Sequence, residues 1–177
     1  VVARSKEAKL LGIKAGTPFY QLRQQLSGVK IEAFSSNYEL YGEMTGRIMT
    51  IIRDMAPMCF RYSIDEAFAI LDGFAPNQLK QWGTQLHDRV LQSVGMPVSI
   101  GIAPTKTLAK MASHFAKKHP GYNHCCIIDT DERRIKALRL YPIDEVWGIG
   151  RRYAARLSSM GINTAYDFAS HSGTWVH

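Results

Sequence analysis

Tyr62-Ser63-Ile64-Asp65-Glu66-Ala67-Phe68 sets two adjacent carboxylates between stretches that are apolar on both sides. Met58 to Ile64 and Ala67 to Leu71 have the composition of two strands, closed by Asp72 and Gly73, so Asp65 and Glu66 fall at the tip of a hairpin. Within a regular strand neighbouring side chains point to opposite faces, whereas at a hairpin tip the chain rotates and both can converge. Carboxylates among apolar neighbours cost folding free energy unless something compensates them. Mg²⁺ is a natural partner, because it keeps several waters and takes one or two protein carboxylates together with substrate phosphates. The same spacing also fits a solvated turn carrying two ordinary surface acids.

Around this hairpin the pattern alternates between helix and strand. Ser35, Ser36 and Asn37 offer capping side chains before a stretch in which Tyr41, Met44, Ile48, Ile51, Ile52 and Met55 recur at three- and four-residue steps, predicting an amphipathic helix that Pro57 ends. Pro76 and Asn77 open a second helix with Leu79, Trp82, Leu86 and Val90 on its buried stripe, and Gly95 to Pro97 close it. Val98 to Ala103 reads as an apolar strand. Pro104 and Thr105 then start a helix with Leu108, Met111, Ala112 and Phe115 facing a core and Lys106, Lys110 and Lys117 elsewhere on its surface. His124 to Ile128 reads as a further strand, and Thr130 and Asp131 cap a basic helix through Leu138. Short helices are expected at Arg4 to Leu11 and Phe19 to Leu26. The order helix, strand, strand, helix, strand predicts an α+β sandwich with two helices on one face of a mixed sheet.

Composition narrows the function classes. In 177 residues, the 46% hydrophobic and 21% charged fractions are those of a globular protein, and no apolar run approaches the roughly 20 residues that span a bilayer. Cys59, Cys125 and Cys126 suggest neither a disulfide framework nor a zinc ribbon, which makes the cytoplasm the expected compartment and a membrane partner unexpected. The net charge of +7 favours an anionic partner such as nucleic acid without proving one. His114, His119 and His124 recur every five residues. Helical ligand pairs want three or four, so solvated or hydrogen-bonded histidines are expected. Gly148-Ile149-Gly150 followed by Arg151 and Arg152 has the shape of a helix-hairpin-helix, whose exposed N–H groups accept a phosphate, although a glycine-rich connection would look the same.

The run Ser63 to Phe68 resembles the catalytic palm motif of the Y-family, lesion-bypass DNA polymerases. Val98-Ser99-Ile100-Gly101-Ile102-Ala103-Pro104-Thr105-Lys106-Thr107-Leu108-Ala109-Lys110 resembles that family's next palm segment, and Ala3-Arg4-Ser5-Lys6-Glu7-Ala8-Lys9 its finger motif. Ser35 to Tyr41 and Val146 to Arg152 are similar to the branch that supplies catalytic subunits of inducible bacterial polymerases.

The resemblance implies partial fingers over 1–37, a ferredoxin-like palm over 38–129 and a partial helical thumb over 130–177. It also implies error-prone translesion synthesis during DNA repair and the SOS response, with Asp65 and Glu66 binding the two Mg²⁺ ions of nucleotidyl transfer. Lys117 and Lys9 would reach the triphosphate, and Lys6 more weakly, because several relatives place Tyr there. Gly148, Gly150, Arg151, Arg152, Lys106 and Lys110 would serve DNA. The implied partners are primer-template DNA, dNTP, a UmuD-like dimer, a RecA filament and the sliding clamp. The family's first palm strand, with a further metal-binding Asp, would precede Val1, and its little finger would follow His177, so the chain alone is expected to be inactive. The rival expectations are a non-catalytic DNA-binding module that keeps this fold and a subunit acting through protein partners.

Overall fold

The structure, a computed structural model, describes residues 1–176; His177, which closes the expected thumb segment, lies outside the described residues. Contacts divide the chain into two compact units, one spanning Val1–Asn37 and the other starting at Tyr38. In the first unit, α1 (Lys6–Leu10) starts where the Ser5 hydroxyl accepts the Ala8 N–H at 3.1 Å, and α2 (Phe19–Gln25) follows Pro18. The Val1 ammonium donates to the Thr17 carbonyl at 2.8 Å, and Ile13 and Leu22 are the buried apolar side chains.

The second unit carries the sheets. It runs through α3 (Tyr38–Met55), β1 (Met58–Arg61), β2 (Ala67–Ile70), α4 (Pro76–Val94), β3 (Ile100–Ile102), α5 (Lys106–Lys118), β4 (Cys125–Ile127), α6 (Asp131–Leu140), α7 (Arg151–Ser159), α8 (Ala165–Ala169) and α9 (Gly173–Val176). The expected mixed sheet exists as two pieces: β1 pairs antiparallel with β2 (Met58 opposite Ile70, Arg61 opposite Ala67), and β3 pairs parallel with β4 (Ile100 opposite Cys125, Ile102 opposite Ile127).

As the order of elements predicts, α3 and α4 cover one face together. Ile51, Trp82, Leu86 and Val90 pack there with Ala69, Leu71, Val98, Ile100 and Ile102. Trp82 keeps its indole N–H satisfied by donating to the Met55 carbonyl at 2.8 Å. On α3 the predicted stripe holds at Ile48, Ile51, Ile52 and Met55, while Tyr41 is exposed and Met49 is buried in addition.

The other face of β3 and β4 belongs to α5. Alternation along a strand sends Ile100 and Cys125 toward α4 and Gly101 and Cys126 toward α5, where Met111, Ala112, Phe115 and Ala116 form a second core with Ile128, Ala137 and Tyr141. Thr105 caps α5, accepting the Leu108 N–H at 3.3 Å.

After α6 an antiparallel bridge joins Pro142 to Thr164. The first helix of the expected helix-hairpin-helix is a single 3₁₀ turn, Ile143–Glu145, held between Pro142 and the left-handed Gly148 (φ 93°). α7 ends as a Schellman motif, with Gly161 donating to Ser158 at 3.0 Å and Ile162 to Leu157 at 3.0 Å. Among the described residues no helix is long and apolar enough to cross a membrane.

Candidate active site

Strand pairing ends at Arg61 and Ala67, and the loop between them is closed by Tyr62 and Ser63, whose N–H groups both donate to the Glu66 carbonyl, at 2.9 and 3.1 Å. Ser63 orients the first acid. Its hydroxyl donates to Asp65 Oδ1 at 2.7 Å and accepts the Asp65 N–H at 3.3 Å, while Arg61 Nε holds the Ser63 carbonyl at 2.9 Å. Thr45 on α3 donates its hydroxyl to the Ile64 carbonyl and so pins the tip of the hairpin. Sequence reasoning passed over both Ser63 and Thr45. The Ser-x-Asp spacing signals a local side-chain turn; Thr45 carries no such mark.

Asp65 and Glu66 border a cavity of about 570 Å³ that runs between β2 and β3, with Ala67 to Ala69 on one side and Val98 to Ala103 on the other. Lys110 and Lys117 line the same cavity, so all four predicted residues border one space. Lys110 Nζ lies 2.9 Å from Glu66 Oε2 and also faces the rings of Tyr62 (5.2 Å) and Trp147 (5.1 Å). One turn earlier, Lys106 Nζ sits over Phe60 at 4.6 Å and Phe68 at 5.6 Å. Both lysines expected at DNA therefore lie against the hairpin's aromatic face.

Lys6 and Lys9 are exposed on α1 in the first unit. Arg151 and Arg152 are exposed at the start of α7, where the N-cap is Gly150 and no side chain caps the helix. Gly148 before it is in the left-handed region, and an uncapped helix start beside two guanidinium groups is chemically suited to an anion.

Among the described residues no three His, Cys, Asp or Glu side chains are grouped so as to hold an ion. His124 stacks on buried His87 at 3.9 Å, and His87 Nδ1 lies 2.7 Å from the Val98 carbonyl. His114 lines the cavity against the Tyr141 ring, 4.9 Å away. Burial pushes its pKa below the ordinary 6.5, with Lys118 adding to the effect and Glu145, 3.8 Å away, opposing it. Burial likewise pushes the Tyr141 phenol up to about 12.

For His114 the unfolded chain binds more protons than the folded one between the lowered and the ordinary pKa. Its contribution is therefore complete above 6.5 and is lost as the pH falls through the folded value. Thermal melts should show the midpoint falling between about pH 7 and pH 5, and His114→Gln should flatten that slope.

An α+β unit that sets paired carboxylates on a hairpin beside a cavity, followed by a basic glycine turn, has the architecture of a polymerase palm. The chain belongs to the impB/mucB/samB family, whose profile matches residues 1–114, and it is a Y-family member. It is 40% identical to Protein UmuC of Salmonella typhimurium over 99% of this chain, and spans 42% of that relative's length. Among solved structures it resembles a DinB family error-prone DNA polymerase from Sulfolobus solfataricus, with a TM-score of 0.78 and 28% identity over 97% of this chain and 51% of that one. An insertion ternary complex of Dbh DNA polymerase is similar too, with a TM-score of 0.77 and 27% identity over 97% of this chain and 49% of that one.

Proposed function

We propose that this chain supplies the metal-binding palm, with fingers over 1–37, palm over 38–129 and thumb over 130–177, of a translesion DNA polymerase of the UmuC type that extends a primer 3′-hydroxyl with dNTP during DNA repair. The observation that carries the reading is that Asp65 and Glu66 border a cavity whose lining also includes Lys110 and Lys117. Two hard oxygen donors beside open space fit Mg²⁺, which shares its coordination with waters and phosphates. When bound, the ions lower the pKa of the attacking hydroxyl and stabilise the leaving oxygen.

The chain's own residues do the positioning. Ser63 fixes the Asp65 carboxylate, the Thr45 bond holds the tip, and Lys117 offers a point charge to the triphosphate. Lys9 and Lys6 are proposed as further phosphate contacts from the fingers. The gap between β2 and β3 is the proposed seat of an additional extended segment bearing a third carboxylate. The kinship also carries a UmuD-like dimer, a RecA filament and the sliding clamp as proposed partners, and the cytoplasm as the proposed compartment.

The α7 end is proposed to grip the duplex backbone, which requires no reading of base identity. Binding of a primer-template should weaken linearly in log–log form with salt. Replacing Arg151 and Arg152 by Ala should make that slope shallower by about 1 for each Arg removed, equally for unrelated sequences. Fluorescence anisotropy at several salt concentrations tests this, and salt-insensitive binding, or binding unchanged in the double variant, would refute the grip.

A further inference from the structure

Lys110 holds a position that phosphate binding does not explain. Its side chain is 23% exposed, and its nearest anion is Glu66, with 2.9 Å between Nζ and Oε2. Two rings complete its surroundings: Tyr62, which leads into the hairpin loop, and Trp147, which precedes the Gly148 turn. These rings are fixed to each other. Their planes meet at 87° with centroids 5.4 Å apart, and the Trp147 N–H donates to the Tyr62 hydroxyl at 3.2 Å. An ammonium placed on two ring faces gains attraction without a second acid. The Glu66 side chain is 43% exposed, so solvent and small ions can reach it.

We propose that Lys110, held between the rings of Tyr62 and Trp147, is a positioning residue that occupies Glu66 as a resident cation and yields that carboxylate to an incoming divalent ion. The inference rests on the metal-binding reading of Asp65 and Glu66. A cation on Glu66 keeps two neighbouring acids from repelling each other and holds the Glu66 side chain in one direction. A half-exposed ion pair is weak enough for a divalent ion to displace. Trp147 ties this contact to the segment that leads into α7, so the same ring touches the carboxylate's partner and the start of the backbone-gripping turn.

Nuclear magnetic resonance on the 177-residue chain tests the proposal with Mg²⁺ as the probe. The Lys110 ε-methylene protons should lie upfield of those of free lysine because of the two rings. They should move toward the free position in Trp147→Ala, and also as Mg²⁺ is added to the native chain. Lys110→Met keeps the alkyl chain and removes the charge. It should bind Mg²⁺ about fivefold more tightly, read from the Asp65 and Glu66 amide shifts, the factor that roughly 1 kcal/mol of ion pairing represents at 25 °C. An unshifted ε-methylene in the native chain overturns the cage without any variant having to fold. Mg²⁺ affinity equal in Lys110→Met and native chain overturns the competition while leaving the metal site standing. No Mg²⁺ response at Asp65 and Glu66 in either protein overturns the metal reading and this inference together.

Discussion

Gly101→Ala should destabilise the second unit by about 3 kcal/mol or more, the upper end of what overpacking a core costs. A Cβ at this position would lie 2.0 Å from the Ala109 carbonyl oxygen and 2.2 Å from the Ser113 nitrogen, both backbone atoms of α5. A side chain can rotate out of such a clash, but a helix backbone can only move as a body. The required shift would pull Ala112, which is fully buried, and Met111 from their places against Cys126. It would also carry Lys106 and Lys110 away from the hairpin. Gly121→Ala is the matched control, because a Cβ there meets nothing within 4 Å, and it should stay within about 0.5 kcal/mol of the native protein. Urea denaturation of both variants measures the difference; a Gly101→Ala midpoint close to the control would mean that α5 does not rest on β3 as described.

The elements that sequence made legible are those whose signal is periodic or local. Pro57 after Met55, Thr105 before Lys106, and Thr130 before Asp131 mark helix ends because capping and proline chemistry act within one turn. The hairpin tip was legible because two charges interrupt apolar strands. What stayed hidden depends on residues far apart in the chain. Lys106 and Lys110 are expected at DNA from resemblance, and nothing local says that rings from Phe60, Tyr62, Phe68 and Trp147 would also line up beside them. Tyr41 has helical spacing with Met44 and Ile48, yet it is exposed because the core contacts of α3 fall on Ile48, Ile51, Ile52 and Met55. That the sheet comes as two pieces was also beyond a strand-by-strand reading, because pairing partners are not encoded in a strand's own alternation.

Asp65→Asn and Glu66→Gln should each lower divalent affinity by more than about a hundredfold, since turning a carboxylate proposed to hold the ion into a neutral amide removes its charge and one of its two oxygens, a larger change than the outer-shell substitutions that typically cost 10–100-fold. Their effects on stability should differ, and that difference separates a metal site from a structural turn. Asn at position 65 keeps an oxygen that accepts the Ser63 hydroxyl, loses only charge, and relieves repulsion between two adjacent acids. Its melting temperature should equal or exceed the native one. Gln at position 66 breaks the contact with Lys110, a half-exposed pair worth about 1 kcal/mol at most, and should lower the midpoint slightly. Acids retained only to shape the loop would show the reverse pattern, in which Asp65→Asn destabilises and Mn²⁺ binding does not change. Thermal melts together with Mn²⁺ titrations followed by electron paramagnetic resonance distinguish the two. A stability gained at position 65 where affinity is lost is the expected mark of a charge kept for chemistry, because Asn supplies the same hydrogen-bond acceptor to Ser63 without the repulsion from Glu66.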